Sequence, residues 1–377
     1  MIRILQVVAY QPVGGVGTFL TGLKENLNNQ EFKIDFLEST KSTSGDFNQK
    51  INDGSSNLHI LPELKLKNVG KYFSEVKIFY KKNATNYDIV HVHAPNLAFL
   101  HFYYARKYGI SVRIMHAHST KYSTNTIKAK INRLLIFLGR KLATDFWGSS
   151  NNSVDFMFRN EDMKVVIPNG VDLNKFKFSI SRRKKIREIY GIREDDFLVG
   201  CIGNLLAAKN YIFLLNVFEK IKKNQNIKLM IVGSGEQKEK LEKFIDSKEL
   251  TNVILVERTK SPELFYSAFD LFVLCSKFEG FGYTALEAQA SGLNCLFSTG
   301  IPKEVDILEE NKYIGITNQD KDKWASVIVK ESNFVVAESI SSNRKRRFER
   351  ISDSRYSITN SIRMIGNEYT RLMRDRS

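Results

Sequence analysis

Acidic residues are in short supply in this chain. Its 377 residues carry 41 Asp and Glu against 57 Lys and Arg, a formal net charge of +16. That excess favours a negatively charged partner, either nucleic acid or an anionic membrane. The basic segments are Arg182-Arg183-Lys184-Lys185-Ile186-Arg187 and Arg344-Lys345-Arg346-Arg347. No nucleic-acid module motif accompanies them, so nucleic acid is not the expected partner. Cysteine is scarce too. Cys201, Cys275 and Cys295 all sit in apolar runs without paired metal spacing, and read as reduced core residues. Long hydrophobic runs are missing: none reaches the roughly 18–20 residues of a membrane-spanning helix. The start, Met1 to Val8, reads as a short apolar strand, not as the charged lead of a signal peptide. A cytoplasmic location is the expectation. What remains is ordinary globular material, 42% hydrophobic and long enough for two α/β domains with separate cores.

Short apolar runs alternate with longer amphipathic ones in two blocks. Ile2–Val8, Phe32–Leu37, Asp88–Val92, Val112–Met115, Asp145–Trp147 and Val165–Ile167 read as strands, with helices between them. The rhythm restarts at Phe197–Ile202 and runs through Ile227–Val232, Val253–Val256 and Leu271–Cys275. This predicts two doubly wound parallel sheets, the first over residues 1–170 and the second over 171–350. The join falls at the turn-rich Ile167-Pro168-Asn169-Gly170-Val171-Asp172. Residues 39–56, rich in Ser, Thr, Asn, Asp and Gly, read as a mobile loop. Residues 351–377 have a helical pattern.

The most informative stretch is Ser276-Lys277-Phe278-Glu279-Gly280-Phe281-Gly282-Tyr283-Thr284-Ala285-Leu286-Glu287-Ala288. It follows a buried strand and enters an Ala-rich helix stopped at Ser291-Gly292. Amides at Gly280 to Tyr283 can meet phosphate oxygens at the positive helix end. Carboxylates repel phosphate, so Glu279 and Glu287 must face neutral hydroxyls. A nucleotide-sugar offers hydroxyls on both sides of its diphosphate.

This run resembles the donor signature of retaining GT-B glycosyltransferases, glycosyltransferase family 4. Two glutamates lie eight positions apart, Gly-Phe-Gly follows the first, and Glu287 to Gly292 matches Glu-Ala-x-Ala-x-Gly. The continuation Ser298 to Val305 is similar to the bacterial capsular and exopolysaccharide subgroup. The resemblance implies two Rossmann-like domains facing a central cleft, an N-terminal acceptor domain and a C-terminal nucleotide-sugar domain. It implies a last helix crossing back to the first domain. It also implies a retaining hexosyltransferase using a nucleotide-sugar, a UDP-sugar, as donor. The acceptor would be a lipid-linked oligosaccharide, and the protein would be peripheral at the inner face of the cell membrane. Glu279 would hold the sugar and Glu287 the ribose.

Lys209, in Gly203-Asn204-Leu205-Leu206-Ala207-Ala208-Lys209-Asn210, can neutralise a departing diphosphate. The family has arginine where Asn204 stands, and asparagine lacks a charged fork. Arg258, after the strand ending at Val256, could stack on the base or reach phosphate. Gly15, within Gly14-Gly15-Val16-Gly17, allows a close backbone approach. That run also mimics a dinucleotide fingerprint, but Leu20 stands where a third small residue is needed. With Lys209 and amides as the positive potential, no metal cofactor is expected. No second carboxylate is apparent on the acceptor side, which favours same-face displacement assisted by the leaving phosphate.

His91-Val92-His93 and His116-Ala117-His118 end two strands. Each pair is expected to contribute one side chain to any single site; the resemblance implies a histidine near the reacting sugar at the position of His116 or His118, and His118, further beyond the strand, is preferred. Two basic amphipathic stretches, Lys65 to Lys82 and Thr126 to Leu142, are candidate contacts with an anionic bilayer, or else apolar stripes packed on the sheet. Two alternatives compete with the enzyme: a non-catalytic GT-B subunit, motivated by Asn204, and a nucleic-acid binder, motivated by charge.

Overall fold

The alternating pattern becomes two parallel sheets. The computed structural model describes residues 1–9, 12, 15–40, 46–51, 54–123, 125–279, 281–333 and 340–376. The chain divides into unit 1, Met1–Gly170 with Ile358–Ser377, and unit 2, Val171–Ser357.

Unit 1 runs β1 (Ile2–Val8), α1 (Gly15–Asn26), β2 (Phe32–Ser39), α2 (Asp46–Ile51), β3 (Leu58–Leu61), α3 (Val69–Asn83) and β4 (Ile89–Val92). It continues with α4 (Ala98–Lys107), β5 (Val112–Ala117), α5 (Thr126–Arg140), β6 (Asp145–Gly148), α6 (Asn151–Phe158) and β7 (Lys164–Val166). Its sheet order is β3-β2-β1-β4-β5-β6-β7, all parallel. The order reverses between β1 and β4. Connections there leave in opposite directions, which opens a crevice beyond the strand carboxyl ends.

Unit 2 runs α7 (Leu173–Phe176), α8 (Ile180–Ile189), β8 (Phe197–Ile202), α9 (Tyr211–Lys220), β9 (Ile227–Val232), α10 (Lys238–Ser247) and β10 (Val253–Val256). It continues with α11 (Pro262–Ala268), β11 (Leu271–Leu274), α12 (Tyr283–Ala290), β12 (Asn294–Ser298), β13 (Lys312–Ile314), α13 (Asp320–Ser332) and α14 (Ile340–Ser352). The order β10-β9-β8-β11-β12-β13 reverses between β8 and β11. In both units the central strands are apolar on both faces, because helices cover both sides of a parallel sheet. Ile4, Leu5 and Val7 of β1, and Leu198 and Val199 of β8, are fully buried.

The last helix, α15 (Ile358–Arg374), belongs to unit 1. It buries Ile362, Ile365, Tyr369 and Leu372, one stripe at three- and four-residue spacing. These enter the core formed by β1, β2 and α1 with Phe32 and Phe36. Each such side chain contributes roughly 1.5–3 kcal/mol by leaving water. Unit 2 extends to Ser357, beyond the 350 expected from sequence.

One expectation is corrected and two are refined. Residues 46–51, read as loop, form the helix α2, with Phe47 and Ile51 buried. Residues 41–45 and 52–53 of that stretch lie outside the described residues. The basic segments are partly structural. Arg183 and Arg187 pair with the buried Asp270 at 2.7 and 3.1 Å. Arg344 is buried and donates to the carbonyls of Ser291 and Phe269. Burial lowers its guanidinium to about 9. A run of cations is therefore not all surface: three of these arginines tie helix ends and loops together through carbonyls. The two basic amphipathic stretches also part ways. α3 buries Tyr72, Val76, Phe79 and Tyr80. α5 buries only Ile136 and Gly139, and leaves Ile127, Ile131, Leu134 and Phe137 half or more exposed.

Candidate active site

The chemistry-bearing residues of unit 2 gather beyond the carboxyl ends of β8, β11 and β12, three neighbouring strands at the order reversal. Backbone contacts fix the loops there. The loop after β8 lies across the exit of β9, with the Gly203 amide donating to Val232 and the Leu205 amide to Ser234. A Cβ on Gly233 would stand 2.0 Å from the Gly203 carbonyl oxygen, so glycine is required. The loop after β11 is tied on both sides. Lys277 donates its amide to Ala208, and Glu279 donates its amide to Gly300. A Cβ on Gly300 would be 2.4 Å from the Lys277 oxygen.

These ties bring Lys209 and Glu279 together from elements 70 residues apart. Lys209 Nζ donates to Glu279 Oε1 at 2.5 Å, and Ser276 Oγ donates to the same oxygen at 2.7 Å. Both side chains of the pair are partly exposed. Such a pair contributes only about 0–1 kcal/mol to stability. Its importance is positional: a cation and a carboxylate are held side by side at a ligand-binding edge.

Glu287 lies on α12, two turns beyond Glu279. Its Oε2 accepts from the Tyr266 hydroxyl at 2.7 Å. Burial pushes its carboxyl above the usual range, and the Tyr266 bond works against that by favouring the carboxylate. The helix enters from Gly282, whose φ of +102° only glycine takes readily. Phe281 is compatible with the backbone role expected of it. Its side chain is buried in the unit 2 core against Tyr283 and Tyr356, so only its backbone is left to meet a ligand. Gly280 lies outside the described residues, as does Gly14. Asn204 is exposed at the same edge. Arg258 is exposed after β10, two strands from β8. Gly15 opens α1 in unit 1.

In unit 1 the histidines overturn the one-from-each-pair expectation. Residues two apart on a strand share a face. All four rings therefore meet at the exits of β4 and β5. His91 Nε2 and His116 Nδ1 are 3.0 Å apart, and His93 Nδ1 and His118 Nε2 are 2.9 Å apart. His91 also bonds the Tyr369 hydroxyl at 2.7 Å, and His93 Nε2 meets Gln6 Oε1 at 2.7 Å. Gln6 donates its amide to Tyr369 at 3.0 Å. Burial holds His91, His93 and His116 well below their ordinary value, and lowers His118 to about 3. All four are neutral at neutral pH. His118 is thus a hydrogen-bonded member of a cluster, not a lone side chain at a strand end. The part-buried His59 and the fully buried His101 make hydrogen bonds with tyrosines.

Sequence reasoning missed Tyr266, Ser276, Gln6 and Tyr369. No local pattern marks them, because each is recruited by tertiary contact. The histidine gathering was readable: two His-x-His runs ending adjacent parallel strands must share a face.

Comparison with known proteins agrees with this architecture. Residues 13–175 match Glycosyltransferase Family 4, and residues 182–332 match Glycosyl transferases group 1. The chain is 26% identical to the Escherichia coli UDP-Gal:alpha-D-GlcNAc-diphosphoundecaprenol alpha-1,3-galactosyltransferase, over 92% of each chain. It is 25% identical to the Acholeplasma laidlawii alpha-monoglucosyldiacylglycerol synthase, over 76% of this chain and 77% of that one. In fold it is similar to Anabaena Alr3699/HepE, solved in complex with UDP and glucose. The TM-score there is 0.79 at 16% identity, over 98% of this chain and 100% of that one. Two parallel Rossmann-like sheets, an acid–lysine pair at the second sheet's reversal and matches along most of the chain place this protein in the GT-B glycosyltransferases of family 4.

Proposed function

We propose that this chain is a retaining glycosyltransferase that moves a sugar from a UDP-sugar to a lipid-linked saccharide in cell-surface polysaccharide synthesis. The observation that carries the reading is the Lys209–Glu279 pair at the unit 2 sheet edge. A donor entering there exchanges that pair's partners. Lys209 turns to the diphosphate and stabilises its departure, while Glu279, steadied by Ser276, takes sugar hydroxyls. Glu287, oriented by Tyr266, takes the ribose hydroxyls. The α12 amino end adds positive potential at the phosphates. No metal is needed at the diphosphate, because lysine and amides supply that charge. Retention follows from same-face displacement, with the leaving phosphate taking the acceptor proton.

The donor and acceptor classes draw support from the E. coli relative, whose name specifies UDP-Gal and a diphosphoundecaprenol carrier. Membrane contact at the inner face of the cell membrane draws support from α5. Its exposed Ile127, Ile131, Leu134 and Phe137 are interleaved with Lys128, Lys130 and Arg133. A helix of that kind lies in an anionic interface. No helix among the described residues is long and apolar enough to cross a membrane.

The test uses purified protein, vesicles carrying a lipid-diphosphate saccharide, and labelled UDP-, GDP- and ADP-sugars. Transfer from a UDP-sugar with the anomeric configuration kept, abolished by Glu279→Ala, is expected. Binding without turnover would favour the second reading, a non-catalytic GT-B subunit, for which Asn204 in place of the family arginine is the specific motive. Ile131→Glu with Leu134→Glu should lower sedimentation with anionic vesicles without changing donor affinity.

A further inference from the structure

The unit 1 histidine cluster has a geometry that the transfer reaction does not use. One ring nitrogen from each of His91, His93 and His116 lies within 4.8 Å of the other two, and all three residues are buried. His118 joins them through its 2.9 Å contact with His93. Two ligands on a tetrahedral ion with bonds of about 2.0–2.1 Å stand about 3.3 Å apart. The His91–His116 contact of 3.0 Å is close to that edge, and a nitrogen of His93 lies within 4.8 Å of both, so ring movements of about an ångström or more would bring the three onto one centre.

The outer atoms fit as well. Gln6 Oε1 accepts from His93 Nε2–H, which leaves the lone pair of His93 on Nδ1, the atom facing His118. The Tyr369 oxygen can accept from His91 Nδ1–H, leaving the lone pair on Nε2, which faces His116. Oriented second partners of this kind accompany histidine ligands at metal centres.

We propose that His91, His93 and His116 bind one divalent first-row transition-metal ion of the kind that favours neutral imidazole. No carboxylate belongs to the set, so Mg²⁺ and Ca²⁺, which take oxygen ligands, are excluded. The site lies within unit 1 and does not rest on the proposed transfer reaction.

The test uses the full chain, freed of metal by a chelator, then titrated with Co²⁺ and, in competition, Zn²⁺. One Co²⁺ per chain is expected, with visible d–d absorption displaced by Zn²⁺ and unaffected by a thousandfold excess of Mg²⁺. X-ray absorption on the Zn²⁺-loaded wild-type chain should show three imidazole nitrogens, a readout that needs no variant. His93→Gln with His116→Gln should weaken Co²⁺ binding at least 100-fold, and the circular dichroism melt of the metal-free variant reports whether it folds. Absence of Co²⁺ binding at millimolar concentration, or a wild-type absorption spectrum dominated by oxygen or sulfur, overturns the proposal.

Discussion

The two units share one strand plan, with order reversal between their first and fourth strands, and carry opposite chemistry at the same edge. In unit 2 that edge holds ions: Lys209, Glu279 and Glu287, each kept partly accessible. In unit 1 it holds four neutral rings closed by Gln6 and Tyr369. A shared scaffold therefore fixes where a site lies and leaves open what it does; the loop residues decide that. The difference also separates costs. Ionic groups at unit 2's edge contribute little to its stability, whereas the unit 1 network is part of the core.

Breaking the ionic edge should produce the largest effect. Glu279→Ala is expected to lower sugar transfer about 10³-fold, and Lys209→Met about 10²–10³-fold, with the melting temperature within a few degrees of wild type. Initial rates with labelled donor, beside a thermal melt, check both. A variant that unfolds instead would erase the contrast between the units.

Breaking the neutral edge should read out as stability. Tyr369→Ala removes a fully buried ring touching Trp147 and Phe32, and is expected to cost about 3–5 kcal/mol in denaturant unfolding. Tyr369→Phe keeps the ring and loses the bonds to Gln6 and His91, at about 1–3 kcal/mol. Donor affinity, measured by calorimetry, should be unchanged in the phenylalanine variant.

Tyr266→Phe sharpens the comparison within unit 2. It deletes the bond that favours the Glu287 carboxylate, so the already raised carboxyl rises further. Donor binding should weaken about 10-fold, more at pH 6 than at pH 8, in calorimetric titrations at both values.

The smallest effect concerns Glu38, at the carboxyl end of β2. Burial pushes this carboxyl up to about 7 from an unfolded value of 4.5, with Asn48 opposing the shift. The folded unit prefers the protonated form. Its stabilising contribution is full below about pH 4.5 and is lost as pH rises through about 7. Glu38→Gln should raise stability by about 1–2 kcal/mol at pH 8 and leave it nearly unchanged at pH 5, in paired urea titrations.

Much of the scaffold was legible because parallel strands buried on both faces write continuous apolar runs. Ile2–Val8, Phe197–Ile202, Ile227–Val232 and Val253–Val256 have the bounds expected of them. Outer strands such as β13, three residues with only partial burial, leave no such trace. The helix α2 was hidden by a polar composition whose few apolar members, Phe47 and Ile51, all turn inward. At the site, glutamates and lysine stood out by type and spacing. Their supports, Ser276 and Tyr266, did not, since one hydroxyl among many acquires meaning only when folding places it beside a carboxylate.

The course of α15 sets the timetable of synthesis. Domains commonly fold in order as they emerge from the ribosome. Here the core of the first-made domain lacks Ile362, Ile365, Tyr369 and Leu372 until the codons of α15 are read. The earlier 170 residues must wait, with an apolar seam uncovered, while the whole of the other domain is translated. A nascent chain stalled before Ile358 is therefore the form of this protein most exposed to chaperones and proteases.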